Sequence, residues 1–302
     1  MRTTSNGHTA PYNYRRPPWR RPLIVFTVIV VLIAIGGFVA YRAYQGYVQR
    51  LLTIPGCSAG SGANIIGLDF GQAADAAAIA GVAARDGLPG KALTIAYATA
   101  LQESKLENLN YGDRDSVGIF QQRPSQGWGT TAELEDPAYA AGAFFKALMK
   151  IPHYAKLPVD QAAQDVQRSA DGSAYEQYSG SGSLLTADFT TTPHAVTCWY
   201  QPASTTPAKA NLSGAMRGLA DAFGKPGSGH AVEGVSRDRS SDSELVRARA
   251  KSGWAVANWL VADASTYGIT QVSYGGYQWT AGLGETAWQA DRGADHTGIV
   301  AS

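Results

Sequence analysis

Residues 98–129 read ATALQESKLENLNYGDRDSVGIFQQRPSQGWG, and this stretch decides how the rest of the chain is interpreted. The apolar residues between Lys91 and Leu101 recur at helical spacing, which predicts a helix that ends near Glu103. A loop rich in Gly, Asp and Asn follows, from Leu106 to Gly118. A glutamate at the end of an apolar helix is partly desolvated, and desolvation favours its protonated form. Such a carboxylic acid can protonate a leaving oxygen near neutral pH.

Glycoside cleavage requires an acid of this kind and stabilisation of an oxocarbenium-like centre. We therefore predict Glu103 as the catalytic acid, with Asp113 and Asp115 as candidates for activating water. Both aspartates also suit a turn, and ion pairs of Arg123 and Arg168 with the aspartates are a further structural alternative. Polar or aromatic groups that could hold a sugar are Tyr111, Gln121, Gln122 and Trp128. A core position for the tryptophan, and hydrogen bonds from the two glutamines to buried backbone, remain alternatives.

The order Gln102-Glu103-Ser104, Gly118-Ile119-Phe120-Gln121 and Pro124 resembles the Glu-Ser, Gly-Leu-Met-Gln, Pro pattern of soluble lytic transglycosylases and goose-type lysozymes. The longer string to Gly129, with Asp136-Pro137 and AQDVQRS at 163–169, is similar to a lysozyme-like family of membrane-anchored actinobacterial cell-wall proteins. The resemblance covers residues 55–200. It implies a lysozyme-like α fold with Glu103 at the position of the family's catalytic acid. It also implies substrate-side positions for Ser104 and Gln121, and Ser116 of the same string joins the predicted substrate-binding residues.

Two departures from that family pattern matter. The transglycosylase signature Ala-Tyr-Asn-Ala-Gly is absent, and residues 163–169 stand near its place. The tyrosine that orients the acid in that family is therefore expected to be missing at this point. The additional aspartates leave open whether cleavage is hydrolytic or forms an anhydro product. A catalytically inactive wall-binding or scaffold protein is the alternative function.

Residues 23–41 read LIVFTVIVVLIAIGGFVAY, an uncharged run of about the length that a helix needs to cross a bilayer. Arginines precede it at positions 15, 16, 20 and 21. Because cytoplasmic flanks carry the positive charge, we predict a cytoplasmic tail at 1–22 and a transmembrane helix at 23–44. The rest of the chain is then extracellular. A cleaved signal peptide is the alternative, but the apolar run is long for one.

Cys57 and Cys198 would both lie on the oxidising side of the membrane, so we predict that they form a disulfide. The alternatives are two unpaired buried cysteines, or a lipid attached to Cys57.

The predicted fold class is an N-terminal transmembrane helix, a mainly-α lysozyme-like domain and a small C-terminal α+β domain. The remaining boundaries are a tether at 45–71, the lysozyme-like domain at 72–200, a Pro/Thr linker at 201–210 and the α+β domain at 211–302. No alternating strand is expected between residues 72 and 200. In the tail, Gly275-Gly276 between short β-type runs predicts a hairpin.

The tail weakly resembles a C-terminal module of actinobacterial cell-wall proteins, which is similar to zinc peptidases of the D-alanyl-D-alanine carboxypeptidase type. His230 and His296 are its candidate ligands, but the spacing of a zinc site is missing, so we predict no metal and no cofactor.

The net charge is +1, which gives no reason to expect nucleic acid as a partner. The predicted function is a membrane-anchored muramidase or lytic transglycosylase. It would act on the β-1,4 bond between N-acetylmuramic acid and N-acetylglucosamine. Its predicted partners are peptidoglycan strands, the cytoplasmic membrane and possible cell-envelope proteins.

Overall fold

The computed structural model describes residues 20–51, 54–168, 173–200, 210–225, 232–239, 244–250, 253–282, 288–291, 293 and 298–302. The chain divides into two units, Met1–Ile54 and Pro55–Ser302. The first unit contains one long helix, α1 (Arg20–Leu51). Most of the predicted cytoplasmic tail and the predicted linker up to residue 209 lie outside the described residues.

The predicted transmembrane helix at 23–44 is wrong. Within the described part of the chain, no helix is both long and apolar enough to cross a membrane. The apolar run of α1 contains two adjacent glycines, Gly36 and Gly37, which lower its apolar content. The fold class therefore loses its first element.

The second unit is built mainly from helices. They are α2 (Phe70–Arg85), α3 (Gly90–Glu103), α4 (Thr131–Leu134), α5 (Pro137–Leu148), α6 (Val159–Gln167), α7 (Ser173–Glu176), α8 (Ser179–Thr190), α9 (Leu212–Phe223), α10 (Gly253–Ala262) and α11 (Ala264–Tyr267). Short 3-10 helices lie at Pro124–Gln126 and Tyr154–Lys156.

Helix α2 is the central helix of this unit. A capping box starts it, because the Asp69 carboxylate accepts the Gln72 N–H while the Gln72 side chain accepts the Asp69 N–H. Its sequence is rich in alanine, and small side chains let neighbouring backbones approach closely. Helices α3, α5, α8, α9 and α10 all contact it. The core therefore surrounds α2.

Two antiparallel sheets complete the second unit. The first has the order β2-β1-β3, from β1 (Gly56–Ser61), β2 (Asn64–Leu68) and β3 (Val196–Trp199). The second has the order β4-β5-β9-β6-β7-β8, from β4 (Val232–Arg239), β5 (Glu244–Ala250), β6 (Gln271–Tyr274), β7 (Tyr277–Thr280), β8 (Gln289–Ala290) and β9 (Ile299–Ala301).

The first sheet differs from the sequence-based expectation. Its hairpin occupies part of the predicted tether, and β3 lies in the range where no strand was expected. These strands are short and rich in small residues, so their pairing depends on contacts distant in sequence and not on an alternating pattern. Cys57 lies directly opposite Cys198 in the β1–β3 register, and the two form a disulfide. The predicted disulfide is confirmed.

Residues after position 211 share the core of the preceding helices. The buried Trp279 indole donates to the Cys198 carbonyl at 3.1 Å, and the Trp288 indole donates to the Val196 carbonyl at 2.8 Å. The buried Asn258 side chain donates to the Asp188 carbonyl at 2.8 Å. One continuous hydrophobic cluster contains residues from both sides of the predicted linker.

Candidate active site

Glu103 is the last residue of α3, where the sequence predicted the helix to end. Its side chain is half-buried. The phenol of Tyr175, on α7, donates a hydrogen bond to Glu103 Oε1 at 2.6 Å. Tyr175 is itself only 2% exposed, so its ring is fixed by packing. The contact therefore holds the candidate acid in one orientation.

The sequence analysis missed Tyr175. It expected the orienting tyrosine near residues 163–169 and took that tyrosine to be missing. The structure supplies a tyrosine from the next helix, 72 positions after the glutamate. The segment around it, SAYE at 173–176, carries no distinctive motif. The available signal was a pair of tyrosines, Tyr175 and Tyr178, in a Gly- and Ser-rich stretch, which is weak by itself.

Ser104 and Gln167 fix the backbone of the loop beside the acid. Ser104 is 6% exposed, and its hydroxyl lies 2.8 Å from the Ile119 carbonyl and 3.1 Å from the Ala100 carbonyl. The Gln167 amide donates to the Phe120 carbonyl at 2.8 Å. The loop is thus tied to α3 and to α6. Ser104 therefore supports the loop, and its substrate-side position stays a prediction.

The two predicted glutamines also bond to backbone. The Gln121 amide donates to the carbonyls of Tyr111 and Gly118 at 3.3 and 3.2 Å. Gln122 is buried and donates to the Ala140 carbonyl at 3.3 Å. Within the described residues its Oε1 is buried without a partner. These contacts match the alternative of hydrogen bonds to backbone.

Asp115 belongs to a local network. Its carboxylate accepts from Arg123 Nε at 2.8 Å and from the backbone N–H of Ser125 at 2.8 Å, with the Ser125 hydroxyl 3.0 Å away. Hydrogen bonds from Arg123 and Ser125 hold the pKa of Asp115 well below its usual range. Of the two arginines given an ion pair as a structural alternative, Arg123 forms one with Asp115, and no such pair of Arg168 is present among the described residues. Asp113, by contrast, has a side chain that is 90% exposed.

The other three predicted sugar-binding residues, Tyr111, Ser116 and Trp128, differ from one another in exposure and in location. Tyr111 is 68% exposed, whereas Ser116 is buried and donates its backbone N–H to the Asp113 carbonyl. Trp128 is half-buried and lines a cleft of about 770 Å³ together with Tyr139. Glu103 is not part of that cleft. Gln121 therefore holds the backbone of Tyr111, and the cleft that Trp128 lines does not include the acid.

Backbone strain concentrates around the candidate site. Several non-glycine residues with positive φ lie here: Lys105, Leu106, Arg114, Gln121 and Arg168. Gly118 also has a positive φ of 79°, and an added Cβ would clash with the Leu134 carbonyl. Left-handed backbone at non-glycine residues is costly and clusters at functional sites. The loop geometry therefore supports a functional role for this region.

Within the described residues, no group of three His, Cys, Asp or Glu side chains could hold a metal ion. The candidate zinc ligands His230 and His296 lie outside the described residues. No known protein family matches the sequence of this chain, and no curated protein is significantly similar to it. The resemblance to lysozyme-like proteins therefore stays a prediction from the motifs around Glu103.

Proposed function

We propose that this protein cleaves the glycan strands of peptidoglycan at the β-1,4 bond between N-acetylmuramic acid and N-acetylglucosamine. Glu103 acts as the general acid, and Tyr175 is its positioning residue. The observation that carries the proposal is the 2.6 Å hydrogen bond from buried Tyr175 to Glu103 at the end of α3. Because that bond engages Oε1, Oε2 is the oxygen that delivers the proton to the leaving group.

The reaction then needs one acid that later acts as a base. Glu103 protonates the glycosidic oxygen, the bond from that oxygen to C1 breaks, and positive charge develops at C1. The Glu103 carboxylate next removes a proton from the hydroxyl group that attacks C1. If the attacker is a hydroxyl of the same sugar, the product is an anhydro sugar. If it is water, the product is a reducing end.

The loop contacts favour the anhydro route. Both oxygens of Asp115 are already engaged by Arg123 and Ser125. Asp113 is almost fully exposed, without the packing that would hold its carboxylate in place. A route in which Glu103 works alone requires no second carboxylate. Mass spectrometry of the released muropeptides distinguishes an anhydro end from a reducing end.

The Cys57–Cys198 disulfide supports a site of action outside the cytoplasm. Disulfides persist in oxidising compartments and are rare in reducing ones. Peptidoglycan lies in such an outer compartment, so the redox chemistry of the chain agrees with the proposed substrate.

The test is a Glu103→Gln variant assayed on purified peptidoglycan. The amide keeps the shape but cannot donate an acidic proton, so the rate should fall by about two to four decades. Glu107→Gln is the matched control, because Glu107 is an exposed glutamate four positions further along. Near-wild-type activity of Glu103→Gln would contradict the mechanism. If the wild-type protein binds peptidoglycan without cleaving it, the inactive wall-binding alternative holds.

A further inference from the structure

A second cavity, of about 420 Å³, lies between α2, α9, α10 and the turn that joins α4 to α5. Its buried side includes Asp75 and Asp263, which are 6% and 8% exposed. Asp221 contributes an exposed carboxylate at the rim. Glu103 does not line this cavity, so it is separate from the candidate active site.

The carboxylate of Asp263 is the buried acidic group that this cavity presents to a ligand. It is more than nine-tenths buried and lines the cavity. Its side chain does not cap the helix that follows it, and among the described residues it accepts no hydrogen bond. Asp75 differs, because the backbone N–H of Asn108 favours its charged form, against the larger opposite effect of burial on its pKa. A buried carboxylate without a hydrogen bond is costly, and a bound cation would remove that cost.

The walls of the cavity indicate what kind of cation fits. Trp259 and Tyr267 line it with ring centroids 5.9 Å apart. None of the lining residues is Lys, Arg or His. Aromatic rings beside carboxylates suit an organic ammonium, whose alkyl chain packs on the rings while its charge meets the acids. A metal ion would instead need three or more ligands, and the described residues offer no such group.

We propose that this cavity binds a primary aliphatic ammonium group, such as the end of a diamine or of a lysine-type side chain. Asp263 is its main counter-ion, and Trp259 and Tyr267 form the apolar wall. The volume lies within the range of about 300–1,000 Å³ that is usual for small-molecule sites. This inference does not depend on the proposed glycosidase activity.

Binding should become tighter as the pH rises from 6 to 8. Burial raises the pKa of Asp263 to about 7 and, together with repulsion from Asp263, that of Asp75 to about 8. Below these values the acids hold protons that an ammonium must displace, whereas above them the carboxylates are ready to pair with it. The charged and titratable groups that surround the pair are Asp69, Glu135, Asp136, Arg217, Asp221 and Tyr267.

The experiment titrates the full chain with 1,5-diaminopentane by calorimetry at pH 6 and pH 8. The uncharged 1,5-pentanediol is the matched probe. Asp263→Asn should raise the Kd of the diamine at least about ten-fold, because it removes a charge-assisted hydrogen bond. Asp165→Asn, at an exposed position of α6, is the control and should leave the Kd unchanged. Asp221→Asn, at the exposed rim, should weaken binding less and provides a second variant that preserves the core.

Several results would overturn the proposal. The first is that the wild type does not bind the diamine. The second is that the wild type binds the diol and the diamine with equal affinity. The third is that the Kd of the diamine is unchanged in both the Asp263→Asn and the Asp221→Asn variants. Tighter binding at pH 6 than at pH 8 would also contradict it. A parallel titration with Ca²⁺ addresses the metal alternative. If Ca²⁺ binds, Asp263→Asn abolishes that binding and the diamine has no effect, the cavity is a metal site and the proposal is wrong.

Discussion

Replacing Tyr175 with Phe removes a single oxygen atom from the candidate active site. The ring stays, and because Tyr175 is 2% exposed, the packing around it should be retained. What is lost is the 2.6 Å hydrogen bond to Glu103 Oε1. Hydrogen bonds to charged groups contribute about 1.5–3 kcal/mol. If this bond serves to orient the acid, its loss raises the activation free energy, and about 1.4 kcal/mol of activation free energy corresponds to a ten-fold change in rate.

The expected result is therefore a fall in kcat of about ten- to a hundred-fold. KM should change little, because the buried tyrosine is not positioned to touch substrate. Initial rates of dye release from labelled peptidoglycan, measured over a range of substrate concentrations, separate the two constants. Tyr178→Phe is the matched control. It removes the hydroxyl group of a tyrosine three positions further along, and that hydroxyl accepts a hydrogen bond from Lys105 instead of bonding to the acid.

Two outcomes would refute this reasoning. An unchanged kcat for Tyr175→Phe would mean that the hydrogen bond does not orient the acid. A fall in kcat accompanied by a matching fall in the unfolding temperature would mean that Tyr175 acts on the fold alone. A fall in kcat with an unchanged unfolding temperature and unchanged KM is the signature of a positioning residue.

Two further predictions concern stability. Replacing both Cys57 and Cys198 with Ser opens a crosslink that spans 141 positions, which in the chain-entropy treatment should cost about 5 kcal/mol. Calorimetry should show a large drop in Tm, and an unchanged Tm would contradict that account. Burial, with repulsion from Asp263, raises the pKa of Asp75 from 3.8 to about 8. Because the folded state then binds the proton more tightly than the unfolded state, this carboxyl's contribution to stability is complete below about pH 4 and is lost as the pH rises to 8. The Asp75→Asn variant cannot ionise at this position. Its free energy of unfolding should therefore exceed that of the wild type by on the order of 5 kcal/mol at pH 8, and the two values should be similar near pH 4. Denaturation curves at several pH values test this, and parallel pH profiles for the two proteins would contradict it.

Local sequence signals predicted the local features of the fold well. Asp136-Pro137 was expected to start a helix, and the Asp136 carboxylate does accept the N–H groups of Ala138 and Tyr139. Gly275-Gly276 was expected to form a hairpin turn, and both residues have positive φ between β6 and β7. In each case the decisive interaction lies within a few residues of the motif. The local sequence alone therefore carried enough information to predict these features.

Long-range features could not be predicted in this way, because the residues that interact lie far apart in the sequence. Tyr175 reaches Glu103 across 72 positions, and no spacing rule connects a lone tyrosine with a distant acid. The β1–β2 hairpin lies in a Gly- and Ser-rich stretch that resembles a tether. It becomes ordered through pairing with β3, some 140 residues later. Pairing partners of that kind are set by tertiary packing and not by propensity.

The loop after Glu103 shows how these distant contacts combine. Gln72, at the start of α2, donates to the Lys105 carbonyl at 2.9 Å. Asp75 lies one turn further along α2, and the backbone N–H of Asn108 acts on its carboxyl in the direction of a lower pKa. Lys105 and its neighbour Leu106 both have positive φ, a conformation that persists only where its surroundings impose it.

Helix α2 therefore does two things at once. One turn of it holds the strained backbone beside the acid, and the same turn places a buried carboxyl against the acidic cavity. A change in the charge of Asp75 acts on its interaction with the Asn108 N–H as well as on the cavity, because the same carboxylate serves both. Glu103 does not line the acidic cavity, but the loop beside Glu103 and the cavity are both supported by α2. This explains why the backbone beside the acid depends on residues that precede it by about thirty positions.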